Sequence, residues 1–331
     1  NYKIRVDYTI EKNDGGNMMN AAFLFPGQGA QYVGMGKDIC EKYEEANKIY
    51  ENAEKALGMN IKKLCFEGNE EELNKTQNTQ IAIAVTSLAI LEVLKNKGIS
   101  SNLSVGLSLG EYVALIYSGF INFEDGIKLL KKRGYFMGNC LPDGNFEMAA
   151  VLGMDSKEIE KVCEKVRKNG KFVVPANYNY SGQTVISGES EGIEEAIVEL
   201  NNLKAKRIIK LKTSGPFHTE KLNKAKELFK KELDNVEFNI NDNKVIKNID
   251  GEYYKKEDNI KEILANHIVS PVRFDKAIEK MRKEKIDTFV EIGPGKALSG
   301  FIKKELKGED INIFSISDVK SLEEFLEFAK K

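Results

Sequence analysis

Short apolar runs alternate with longer helical ones along this chain. Ala21-Ala-Phe-Leu-Phe25 reads as a short buried strand that stops at Pro26-Gly27. Leu103–Val105 and Thr288–Ile292 are further strand candidates. Between the first two, the text from Lys37 to about Gly98 is helical, with breaks near Gly58 and Gly68. Its last helix opens at Asn78-Thr79-Gln80 and carries the apolar run Ile81–Leu94. Helical spacing returns at Glu111 and again at Phe123-Glu-Asp125, the latter over Gly126–Phe136.

The pattern changes at Pro142-Asp-Gly-Asn145. A strand (Phe146–Leu152) precedes Asp155-Ser-Lys-Glu158, a capping-box spelling that starts a helix with Ile159, Val162, Cys163 and Val166 on its apolar face. Strands at Phe172–Tyr178 and Gln183–Ser187 follow, then a helix for which Ser190 is the expected cap. A strand at Lys206–Lys212 closes the set. The order βαββαβ is that of a ferredoxin-like unit. The expected organisation is therefore an inserted small domain, 144–212, within a large domain of 21–143 and 213–331. Residues 1–20 read as an N-terminal extension. Later elements are a strand at Val245–Ile249, a helix opening over His267–Phe274 and ending near Lys285, and a last strand at Ile311–Ser317 before a charged helix.

Composition narrows the class. A hydrophobic share of 41% and a charged share of 31% fit an ordinary globular protein, and a net charge of −1 points to neither nucleic acid nor membrane. No apolar run is expected to span a membrane, and no signal peptide opens the chain. The four cysteines (Cys40, Cys65, Cys140, Cys163) are scattered, which favours reduced thiols in a cytoplasmic protein over disulfides or a metal site.

Candidate chemistry centres on Gly106-Leu-Ser108-Leu-Gly110, a G-x-S-x-G nucleophile elbow between a strand and a helix. The loop Pro26–Gln31 fails the dinucleotide-binding pattern, because Tyr32 stands where a third glycine belongs. Its backbone N–H groups are better used facing the elbow serine, as in an oxyanion hole. Only two histidines can act as base, His218 on a Gly-Pro loop and His267 in a helical stretch, and His218 is favoured by its place. No third acid is evident, which suggests that the histidine is oriented by something else, such as a backbone carbonyl. The fold class expected is α/β, an α/β-hydrolase-like large domain with a parallel sheet and nucleophile elbow, plus the ferredoxin-like insert.

Several segments together carry a family resemblance. Phe25-Pro-Gly-Gln-Gly-Ala-Gln31, Gly106–Glu111, Arg133-Gly134, Asn177-x-Asn179, Gln183–Gly188, Gly215-Pro-Phe-His218 and Glu291-Ile-Gly-Pro-Gly-Lys296 occur in this order. They resemble the bacterial malonyl-CoA:acyl carrier protein transacylases over about Ala21 to Lys304. The resemblance implies ping-pong transfer of malonyl from coenzyme A to the phosphopantetheine thiol of holo acyl carrier protein, through a malonyl-serine at Ser108 with His218 as base. It implies an oxyanion hole from the N–H groups of Gln28 and Leu109, and Arg133 as the partner of the malonyl carboxylate. It assigns no cofactor, since coenzyme A is part of the substrate and phosphopantetheine belongs to the partner.

Two departures stand out. Leu107 occupies the place where the family usually has histidine at the elbow, and His267 stands where many relatives carry a glutamine whose backbone carbonyl orients the base. That role passes to the His267 backbone. Phe217 sits at a position tied to malonyl selectivity, where an aromatic ring would crowd an α-methyl group. An acidic carrier protein would call for a basic patch, with Lys204, Lys206, Arg207, Lys210, Lys303 and Lys304 as candidates. A serine hydrolase such as a thioesterase, and a non-catalytic carrier-docking module, are the rival readings.

Overall fold

The computed structural model describes residues 20–213 and 215–331, so the expected extension lies, Asn20 aside, outside the described residues. Its elements form two five-stranded sheets. The first holds β1 (Ala21–Phe25), β2 (Leu103–Gly106), β7 (Lys244–Ile246), β9 (Thr288–Ile292) and β10 (Asn312–Ile316), in the order β10-β9-β1-β2-β7. Every pairing in it is parallel. Side chains of β1 alternate between faces, and both faces are covered. Phe23 and Phe25 join one apolar cluster while Ala22 and Leu24 join another.

Parallel strands end on the same side, so their following loops converge. Four adjacent strands deliver the loops that matter here. After β9 comes Gly293, after β1 the Pro26–Gln31 loop, after β2 Ser108, and after β7 Asn248. The glycine of the last motif has a packing reason. A Cβ on Gly293 would stand 2.8 Å from the Pro26 ring, so the two loops touch only because it is glycine.

The second sheet runs β6-β3-β5-β4-β8, from β3 (Phe146–Leu152), β4 (Val173–Tyr180), β5 (Gln183–Glu189), β6 (Arg207–Lys210) and β8 (Val272–Arg273). The first four are antiparallel neighbours. Two helices, Ser156–Lys168 and Ser190–Asn202, bury Ile159, Val162, Val166, Ile193, Ala196 and Leu200 in its apolar cluster.

Four local expectations need correction. The stretch His267–Phe274 is not a helix start. A helix ends at His267, Val272–Arg273 pairs in parallel with Asn177–Tyr178, and the next helix begins at Phe274. Pro271 has no N–H to give a helix and disfavours helical backbone at Ser270. The second sheet therefore takes a strand from outside 144–212. Ser190 is the first residue of its helix, with Glu189 at the cap position and no side-chain cap bond. The Thr76–Asn96 helix is, by length and composition, apolar enough to cross a membrane. It is instead lined on nearly all sides by protein, with sixteen of its residues buried, as a central core helix is.

Candidate active site

The elbow is built by close backbone approach. A Cβ on Gly106 would run into the Gly110 carbonyl group, and one on Gly110 would strike the Phe25 carbonyl. Glycine at both positions lets β2 turn into the Gly110–Tyr117 helix beside β1. The turn places Ser108 at φ 55°, a left-handed conformation that ordinary residues avoid. Its N–H donates to Asn248 Oδ1 at 2.7 Å, which pins the strained residue.

His218 comes from the loop after β6 and is likewise left-handed, at φ 59°. Its Nε2 lies 2.7 Å from Ser108 Oγ and its Nδ1 lies 2.9 Å from the carbonyl oxygen of His267. A carbonyl only accepts, so Nδ1 carries the proton and Nε2 offers its lone pair to the serine hydroxyl. The carbonyl is free to serve because His267 ends its helix, where the last C=O groups lack intrahelical partners. Burial, and then the charge of Arg133, push His218 down to about 4, so the ring is neutral near pH 7.

Arg133 is fully buried. Its Nη2 donates to Ser108 Oγ at 3.1 Å and its Nη1 to Gln80 Oε1 at 2.8 Å. The guanidinium also lies 5.3 Å from the centre of the Tyr112 ring, and among the described residues Nε makes no hydrogen bond of ordinary geometry. Gly134 makes the position possible. A Cβ there would sit 3.1 Å from the Thr76 carbonyl, so glycine lets the arginine's helix press against the Thr76–Asn96 helix that carries Gln80.

The Pro26–Gln31 loop reaches the elbow from β1. Leu107 N–H donates to Phe25 O at 3.0 Å, and a Cβ on Gly27 would meet Leu107 O at 2.6 Å. Gln28 is fixed by its own side chain, which donates to Thr76 Oγ1 at 3.2 Å. Leu109 opens the helix after the elbow with its N–H at the positive end of that helix. Among the described residues, neither the Gln28 nor the Leu109 N–H has a protein acceptor. Two donors therefore remain open beside Ser108.

Phe217 is buried, with its ring beside Gly215 and Leu141. Leu107 is half-buried against the apolar cluster on its side of the sheet. The basic candidates Lys204, Lys206, Arg207, Lys210, Lys303 and Lys304 are all exposed; Lys210 pairs with Glu147 and Glu194. The cysteines are free thiols, and burial pushes Cys40, Cys65 and Cys163 up to about 12.

Sequence reasoning missed a layer beneath the elbow. Asn248, Glu111, Gln80, Tyr112 and the ring of His267 are all buried around the pair. Burial pushes the Glu111 carboxyl up to about 8, despite an N–H from Asn248 and the nearby Arg133 charge.

Together, two backbone N–H groups without acceptors among the described residues, a Ser–His pair and a buried guanidinium suit acyl transfer through a serine ester. An acyl transferase domain model matches residues 22–329. The chain belongs to the acyl transferase family. Family members similar to it include the malonyl CoA-acyl carrier protein transacylase of Bacillus subtilis, 42% identical over 306 residues that cover 92% of this chain and 96% of that protein. Among solved structures, the transacylase of the same description from Clostridium perfringens is 45% identical, with a TM-score of 0.89, covering 94% of this chain and 97% of its own. A malonyl-transacylase solved with a type II polyketide acyl carrier protein is 33% identical, with a TM-score of 0.88, covering 93% and 99%.

Proposed function

We propose that this acyltransferase moves malonyl from malonyl-CoA to the phosphopantetheine thiol of acyl carrier protein, supplying malonyl units for fatty acid synthesis. The observation that carries this reading is a serine Oγ 2.7 Å from a neutral histidine Nε2 and 3.1 Å from a fully buried arginine.

Ser108 Oγ attacks the thioester carbonyl while His218 Nε2 takes its proton. The oxyanion of the tetrahedral intermediate is held by the N–H groups of Gln28 and Leu109, each donor being worth about 3 kcal/mol of barrier. Collapse breaks the C–S bond, and His218 returns the proton to the departing coenzyme A sulfur. That leaves a malonyl ester on Ser108. The pantetheine thiol then gives its proton to His218 and attacks the ester, and collapse returns the proton to Ser108 Oγ. The His267 carbonyl keeps His218 in the required tautomer throughout. Arg133 binds the malonyl carboxylate with two N–H donors that lysine cannot arrange.

Phe217 beside the base is the residue assigned to discrimination against an α-methyl group, and the exposed lysines and Arg207 named above are assigned to the carrier protein. No cofactor beyond the coenzyme A of the donor and the phosphopantetheine of the acceptor enters this scheme. The same reading takes residues 144–212 as a ferredoxin-like insert in an α/β-hydrolase-like domain, which the strand order β6-β3-β5-β4 supports. Free thiols support a cytoplasmic setting.

Intact-mass measurement after mixing with malonyl-CoA tests the scheme. One malonyl group is expected on the peptide containing Ser108, cleared by holo acyl carrier protein, and none on Ser108→Ala. Replacing any cysteine with alanine should leave it intact. An adduct that persists on Ser108→Ala refutes the assignment, and rapid loss to water without carrier protein identifies a hydrolase instead.

A further inference from the structure

Asn248 lies just beyond β7, is fully buried, and spends every polar atom on its surroundings. Its Oδ1 accepts from Ser108 N–H at 2.7 Å and lies 3.0 Å from His267 Nε2. Its Nδ2 donates to the Gly106 carbonyl at 2.6 Å. Its backbone N–H donates to Glu111 Oε1 at 2.7 Å, and its backbone carbonyl accepts from Arg273 N–H at 2.7 Å.

The orientation of this amide is decided by its neighbours. Ser108 N–H can only donate and Gly106 C=O can only accept, so the oxygen must face the first and the nitrogen the second. An acceptor at Oδ1 then requires a proton on His267 Nε2. The opposite tautomer would set two lone pairs against each other at 3.0 Å. It would also leave Nδ1 as a buried donor without an acceptor in hydrogen-bond geometry. Left unprotonated, Nδ1 faces Glu111 Oε2 at 3.3 Å, outside hydrogen-bond geometry, and an unpaired acceptor there is the smaller loss.

We propose that Asn248 is a positioning residue for the nucleophile and base: one carboxamide fixes the backbone of Ser108 and the ring of His267, whose carbonyl in turn aims His218. This rests on reading Ser108 and His218 as nucleophile and base. The single amide oxygen ties both halves of the pair to one point, so that the Oγ–Nε2 vector does not depend on two independent loops. It also requires that the only two histidines of the chain hold opposite tautomers, Nδ1–H at His218 and Nε2–H at His267.

Two measurements test it. In wild-type protein with ring-15N histidine, assigned by the His218→Gln variant, long-range 15N–1H spectra should show the two opposite neutral tautomers at pH 7. A proton on His267 Nδ1 overturns the proposal, and no variant need fold for that result. In Asn248→Ala, the rate of acylation per titrated serine, taken from the burst of coenzyme A release, should fall between about tenfold and a hundredfold, the scale of an ångström-sized misplacement. KM for malonyl-CoA should stay within about twofold while the His267 tautomer becomes mixed. A residue that merely supports the fold would lower the number of active serines and leave the rate of each unchanged; that outcome also overturns it. Absence of any wild-type adduct on Ser108 would refute the underlying reading, while the tautomers would still report on Asn248.

Discussion

Replacing Arg133 with methionine separates malonyl transfer from acyl transfer in general. Malonyl differs from acetyl by a carboxylate, which must shed water to enter the pocket, and an unpaired buried carboxylate is costly. The guanidinium that would receive it is fully buried and already 3.1 Å from the attacking oxygen. Losing one side of such a charged pair costs about 2–5 kcal/mol. At 1.4 kcal/mol per tenfold, kcat/KM for malonyl-CoA should fall roughly 30- to 4,000-fold. Acetyl-CoA never makes the contact, so its slower reaction should change little. Stability should move the other way. Arg133 is held at a desolvation cost that lowers its pKa, and among the described residues its Nε makes no hydrogen bond of ordinary geometry. Methionine fills similar space without charge. It leaves Gln80 Oε1 unpaired, a loss of about 1–3 kcal/mol, against a desolvation penalty of several kcal/mol removed. Tm should therefore not fall. The assay is kcat/KM for both thioesters with holo acyl carrier protein as acceptor, beside a thermal melt. Equal losses for malonyl and acetyl, or a marked drop in Tm, would mean that Arg133 serves the fold or coenzyme A, and the specificity argument would fail.

His218→Ala should slow transfer by at least about a hundredfold, whereas His267→Gln, which keeps the backbone carbonyl and an amide donor for Asn248, should cost far less; reversed losses in steady-state assays would mean the wrong base. Because His218 is pushed down to about 4, kcat/KM should stay nearly flat as pH falls from 7 to about 5, where an ordinary imidazole would have lost most of its base form. Carboxylate binding to Arg133 removes part of that push, so the acid limb of kcat should lie at higher pH than that of kcat/KM, and coincident limbs would discount the charge effect. In stability, the unfolded chain protonates His218 first. Its contribution is thus present above about 6.5 and lost as pH falls toward 4. Glu111 acts oppositely, its contribution being lost as pH rises toward about 8. Finally, Gly106→Ala should abolish acylation, since its methyl would strike the Gly110 carbonyl group and force strand and helix apart; a variant that still acylates at the wild-type rate would show the elbow to be more pliant than its packing implies.

What the sequence made legible was whatever is written locally. The elbow spells its own turn, and the apolar runs of β1, β2 and β9 mark a buried sheet. The scarcity of histidine narrowed the base to two positions. The layer under the elbow has no such spelling. Asn248 reaches Ser108 across 140 residues and Glu111 across 137, so nothing near it distinguishes it from any asparagine after a short strand. Gln80 was visible only as part of a helix opening, although it holds Arg133 from 53 residues away. The expected helix start at His267 failed because the chain turns and bends over Ile268–Ser270 ahead of Pro271, after which Val272–Arg273 joins β4.

Of the four described non-glycine residues with left-handed backbone, two are Ser108 and His218. That conformation costs an ordinary side chain roughly 1–2 kcal/mol, and glycine almost nothing. A copy of this chain freed from selection for turnover would therefore drift toward glycine at both positions and grow more stable as it fell silent. Among related sequences of unknown status, glycine at either place is the change expected first in a retired enzyme, ahead of any change in the core.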